Sequence, residues 1–196
     1  MIAVHFLWEE DSIASWVANI ILAFIIIKFA VYPILGLMLA TSHPIVAVVS
    51  GSMEHDGWFS TWWGSDCCLN AECSESWKQK DLYSYLNISE KEFKSYSFTN
   101  GLNKGDIMLL RGVKNIKRGD VIVFQSAAQS DPIIHRVIDT NPYQTKGDHN
   151  CGSSGFESNI PPENIIGKAW LRLPLLGWVK IAFVKLLSFV GLAQSP

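Results

Sequence analysis

The chain has 196 residues and a net charge of −2, and 17 % of it is charged against the roughly 25 % usual in soluble domains. That balance excludes a nucleic-acid or anionic-lipid binder that works by bulk charge. Eight tryptophans point to a membrane–water boundary, which favours an apolar ring with one polar handle.

The opening stretch 1–12, "MIAVHFLWEEDS", is acidic, whereas a cleavable signal peptide opens on basic residues. Residues 13–40 then run as 28 residues with Lys28 as the single charge. About 20 apolar residues span a bilayer, so this stretch predicts a transmembrane helix, kinked at Pro33. Lys28 must snorkel, face another helix, or mark a shorter span. Neither flank carries a Lys/Arg excess, so the positive-inside rule gives no orientation.

Residues 43–53, "HPIVAVVSGSM", read as a buried strand closed by a glycine turn. A polar insertion follows at 54–103, with one helix around "ISEKEFKSY". Its Trp58, Trp62 and Trp63 either dip into lipid headgroups or cover an apolar sheet face. Asn87-Ile88-Ser89 is an N-glycosylation sequon. Four short β-rich runs come next, "GDIMLLRGV", "GDVIVFQS", "PIIHRVID" and "YQTKGD", each bounded by turn residues. The tail, 173–196, has the pattern of an apolar helix carrying Lys180 and Lys185, and it lies in the interface or spans the membrane. The expected fold is therefore mostly β: an antiparallel catalytic β domain over 43–172, with a transmembrane helix before it and a membrane-associated helix after it.

Cys67, Cys68, Cys73 and Cys151 allow up to two disulfides in three pairings, or free thiols. The paired C-x2-C spacing of a zinc site is missing. A metal site built from His55, Asp56, His149 and the cysteines has no recognised ligand spacing either.

Ser50-Gly51-Ser52-Met53 stands where an apolar segment meets polar residues. A serine hydroxyl becomes a nucleophile only beside a base. Of His5, His43, His55, His135 and His149, His135 lies within a β-rich run, where packing fixes an imidazole. The ring's second nitrogen needs an orienting carboxylate, and Asp148 in "TKGDHN" is the first candidate. An imidazole base makes activity rise as the ring loses its proton, around a reference pKa of about 6.5.

"SGSME" (50–54), "KGDIMLLRG" (104–112), "RGDVIVF" (118–124), "IIHRVI" (133–138), "TKGDHN" (145–150) and "PPENIIGKAW" (161–170) together resemble type I signal peptidases of the endoplasmic-reticulum and archaeal branch. In that branch a histidine stands where bacterial members carry lysine, and here the position is His135. The resemblance implies Ser52 as nucleophile, His135 as base, and the Ser50 hydroxyl with the Ser52 N–H as oxyanion hole. Each such donor is worth about 3–4 kcal/mol. It implies that Val48, Val49 and Met53 shape the substrate groove, and that no cofactor or metal is needed.

Two departures stand out. The family places a second aspartate six residues after the Gly-Asp aspartate, and that position is Ser154 here. Asp148 is then the expected acid, with Glu157 as the alternative. The insertion replaces what is commonly a short link. The implied function is a membrane-bound serine endopeptidase that removes signal peptides after small residues. Its partners would be signal peptides of secretory precursors and the lipid bilayer, close to secretion machinery and without nucleic acid. The catalytic domain would lie on the extracytoplasmic side of the cell membrane or the endoplasmic-reticulum membrane. The rival reading is a non-catalytic membrane-anchored member of the same fold, acting as a binding or assembly subunit.

Overall fold

A computed structural model describes residues 12–67, 77–178 and 182. The chain divides into two compact units, residues 1–40 and 41–196.

In the first unit, one continuous helix runs Ile13–Leu39, long and apolar enough to cross a membrane. Its 27 residues extend about 40 Å at 1.5 Å per residue. It comprises α1 (Ile13–Ile26), a π-helical turn (Ile27–Val31) and α2 (Tyr32–Leu39). Ser12 caps the start, its hydroxyl accepting from the Ser15 N–H at 3.1 Å. Proline lacks an N–H and crowds the carbonyl four residues back, so the widened turn before Pro33 follows from Pro33 itself. Large apolar side chains are exposed on all sides of this helix, from Trp16 to Met38. A helix apolar all round belongs in lipid or in a protein core.

The second unit is a mixed helix-and-sheet domain, not the mostly β domain expected. Its six-stranded antiparallel sheet has the order β1-β4-β8-β5-β6-β7. The strands are β1 (Ile45–Ala47), β4 (Ile107–Arg111), β5 (Val121–Phe124), β6 (Ile133–Thr140), β7 (Tyr143–Lys146) and β8 (Ile165–Leu173). All four β-rich runs form strands. The strand in 43–53 is shorter than its apolar pattern: regular pairing ends at Ala47, and Val48 still bonds Gly105 and Asp106 before the chain turns at Ser52. β8, which is not among the four expected runs, bridges β4 and β5 at the centre, with Pro161-Pro162 before it and Pro174 after it.

The helices come from the insertion. It forms α3 (Phe59–Trp63), a hairpin of β2 (Asp66–Cys67) and β3 (Trp77–Lys78), α4 (Gln79–Tyr85) and α5 (Glu90–Phe93). The helix expected around 88–96 is this single turn, capped by Ser89 Oγ, which accepts from the Glu92 N–H. Trp62 and Trp63 are buried with Tyr83, Ile88, Phe93 and Ile138 of β6, while Trp58 is exposed. Burying such rings removes a large apolar area from water, which is why the insertion packs on the sheet through Trp62 and Trp63, while Trp58 and Trp77 stay exposed.

β5 reads "VIVF" because both of its faces are covered. Val121 and Val123 pack with Val48, Met53, Met108 and Leu110, whereas Ile122 and Phe124 pack with Ile116, Val137, Ile160 and Ile165. A disulfide joins Cys67 in the insertion to Cys151 after β7, while Cys68 and Cys73 lie outside the described residues. The expected helix of 173–196 also lies outside them, apart from residues 173–178 and 182.

Candidate active site

Ser52 sits in a turn just past β1, closed by the Glu54 N–H donating to the Gly51 carbonyl at 3.0 Å. Its Oγ lies 2.9 Å from Nε2 of His135 on β6. Ser50 Oγ is 3.1 Å from Ser52 Oγ. The serine is half-buried, Ser50 is exposed, and His135 is buried.

The second nitrogen of His135 bonds to Glu157, through Nδ1 and Oε1. A carboxylate only accepts, so Nδ1 carries the proton and Nε2 is left to accept from the Ser52 hydroxyl. Glu157 is fully buried in a 3-10 turn, Gly155–Glu157. Its Oε1 also accepts from Thr145 Oγ1 at 3.1 Å and its Oε2 from the Ser154 N–H at 2.8 Å. Burial alone would raise the Glu157 carboxyl, but the bonds from His135, Ser154 and Thr145 outweigh it and hold the pKa below its ordinary value. Ser154, at the position of the absent aspartate, thus caps the turn that delivers Glu157.

Asp148 does not orient His135, and that expectation is corrected. Side chains on a strand alternate, so His135 and its neighbour Arg136 face opposite sides of β6. Asp148 lies on the Arg136 side. Arg136 donates to it twice, Nε to Oδ1 at 2.8 Å and Nη2 to Oδ2 at 2.7 Å. Tyr83 donates to Oδ1 at 3.0 Å and His55 Nε2 bonds Oδ2 at 3.1 Å. Burial would raise this carboxyl, yet the Arg136 charge and the His55 bond hold it far below the carboxylate range. His55, stacked on Trp62 with centroids 3.6 Å apart, has its pKa lowered by burial, and its Nδ1 has no hydrogen-bond partner among the described residues. His55 is therefore committed to Asp148, while His149 Nδ1 faces Asp56 at 3.8 Å on the surface.

Val48 and Met53, expected in the substrate groove, are core residues instead, 1 % and 0 % exposed. The strand alternation turns Val48 inward, and the Met53 Sδ accepts from the Asp148 N–H at 3.4 Å. Val49 is half-buried.

Gly147, the residue after β7, lies against the pair. A Cβ there would lie 2.6 Å from the Ser52 carbonyl oxygen and 2.9 Å from His135 Nε2. Gly147→Ala should therefore push the imidazole off Ser52 and lower reaction of the serine with a fluorophosphonate by about 100-fold, the scale of a 1 Å displacement. Titration of Ser52 over time checks this.

Lys146 is buried, its Nζ donating to Gln79 Oε1 (3.2 Å), Gly147 O (3.0 Å) and Asp148 O (3.2 Å). Burial lowers its pKa to about 7, against the opposing pull of Asp148. The unfolded chain titrates near 10.5, so between these values it binds more protons than the folded one. Stability should then rise as pH climbs from 7 towards 10. Tyr83, raised well above 10 by burial, reverses the trend beyond that. Thermal melts in this window should show the rise in the native chain and a flatter profile in Lys146→Met.

Sequence reasoning missed Arg136, Lys146, Gln79, Tyr83 and Thr145. Arg136 and Lys146 sit inside the quoted motifs, but nothing local shows which face they take. The arrangement as a whole can remove a proton from a half-exposed serine and balance the imidazolium that results. No protein-family model matches the chain, and a search of the curated proteins returns no match.

Proposed function

We propose that this protein is a membrane-anchored serine endopeptidase that cleaves signal peptides from exported proteins, similar to type I signal peptidases of the Ser-His branch. The observation that carries the reading is the unbroken chain of bonds from Ser52 Oγ through His135 to Glu157. Ser52 Oγ attacks the scissile carbonyl carbon while its proton passes to His135 Nε2, and Glu157 balances the imidazolium. The Ser50 hydroxyl, beside the nucleophile, donates to the oxyanion together with the Ser52 N–H. His135 returns its proton to the leaving amine, and the C–N bond breaks to leave an ester on Ser52. Water, deprotonated by His135, then hydrolyses that ester.

The apolar helix Ile13–Leu39 supports membrane attachment, where a substrate's own apolar segment also resides. The domain of residues 41–196 acts on the extracytoplasmic face, and the substrate binds extended along a sheet edge.

The test is cleavage of a precursor by the native chain in membranes, beside Ser52→Ala and His135→Ala. Each variant should lose about 10⁶-fold in kcat. Sequencing of the new N-terminus should place the cut after a small residue. Undiminished cleavage by Ser52→Ala would overturn the reading.

A further inference from the structure

Beside the catalytic pair runs the turn Lys146–His149, and one side chain of the insertion holds both ends of it. Gln79, the first residue of α4, is 2 % exposed. Its Oε1 accepts from Lys146 Nζ at 3.2 Å, and its Nε2 donates to the His149 carbonyl at 3.2 Å. A buried amide without such partners would be unfavourable, so its two bonds tie α4 to the turn in one register.

From that turn the contacts run directly to the pair. The His149 N–H donates to the Ser52 carbonyl at 2.9 Å, and the Asp148 N–H bonds the sulfur of Met53. Gly147 lies against both the Ser52 carbonyl and His135 Nε2, so any shift of the turn moves the nucleophile relative to its base. Gln79 is itself anchored, its N–H donating to the Ser65 carbonyl at 3.0 Å. The Cys67–Cys151 disulfide ties the same part of the insertion to the chain just beyond the turn.

We infer that Gln79 is a positioning residue: through the Lys146–His149 turn, the insertion holds Ser52 at bonding distance from His135. This inference rests on the peptidase reading. The fold does not depend on Gln79 alone. Lys146 keeps the carbonyls of Gly147 and Asp148 as acceptors, and Asp148 keeps Arg136, Tyr83 and His55.

The test uses full-length protein in membranes, with the native chain, Gln79→Leu and Gln79→Glu. The readouts are KM and kcat per serine, with active serines counted by fluorophosphonate titration so that unfolded protein drops out. Gln79→Leu, which removes both bonds, should lower kcat per titrated serine about 10- to 100-fold with KM within about twofold. Gln79→Glu keeps the acceptor for Lys146 and loses the donor to His149, so it should fall between Leu and native. Should Gln79→Leu fail to fold, Gln79→Glu decides by itself. A per-serine kcat within about twofold of native in the variants that fold overturns the inference while the peptidase reading stands. A native chain that neither cleaves precursor nor reacts with fluorophosphonate overturns both.

Discussion

Glu157→Gln is expected to lower kcat for precursor cleavage by about 10³–10⁴-fold while the protein remains folded, the scale seen when a triad acid becomes an amide. Both oxygens of Glu157 are acceptors, Oε1 from His135 and Thr145 and Oε2 from the Ser154 N–H. An amide offers one oxygen only. If its NH₂ faces Ser154, two donors meet and the 3-10 turn is pushed apart. If it faces His135, it donates to Nδ1, the ring proton moves to Nε2, and the base can no longer accept from Ser52. In either pose the imidazolium loses its charge partner. Asp148→Asn should act on stability instead, because that carboxylate bonds Arg136, His55 and Tyr83 and not His135. Comparing kcat per titrated serine in the two variants checks the assignment; an equal loss in both would refute it.

Arg136→Met should be the most destabilising single change, by about 3–5 kcal/mol, the usual loss when one partner of a buried ion pair is removed. Arg136 is fully buried and makes five bonds, two to Asp148 and one each to the carbonyls of Ser97, Gly119 and Phe98. Its guanidinium also lies over the Phe93 ring, 4.7 Å from the centroid. Methionine fills the stem but leaves Asp148 with His55 and Tyr83 alone, and three carbonyls without that donor. The melting temperature should fall by about 10 °C for a domain of this size. Adding Asp148→Leu should recover part of the loss, since the orphaned carboxylate accounts for much of it. Melts of the single and double variants in detergent measure that coupling, and strict additivity would contradict it.

Much of the framework was legible in the chain. A run of 28 residues with one charge can form little but a long apolar helix, and four short β-rich runs between turn residues form four strands. Local pattern suffices there, because backbone hydrogen bonding and side-chain alternation are short-range rules. The insertion was harder to read. Its tryptophans fit lipid or a packed face equally well by composition, and only their burial with Tyr83 and Phe93 distinguishes the two.

The site divides along the same line. Sequence by itself determined which residue types were available: Ser52 at a glycine turn, His135 in a strand, and two carboxylates, Asp148 and Glu157, downstream. Only the tertiary structure decided between those carboxylates. Neighbours on a strand point to opposite faces, so the partners of His135 and Arg136 depend on which face each loop crosses after β7. The 147–149 turn sends the Asp148 side chain to the Arg136 side, and the Gly155–Glu157 turn brings Glu157 to the His135 side. Chain order cannot carry that information, because a side of the sheet is a property of packing and not of distance along the sequence.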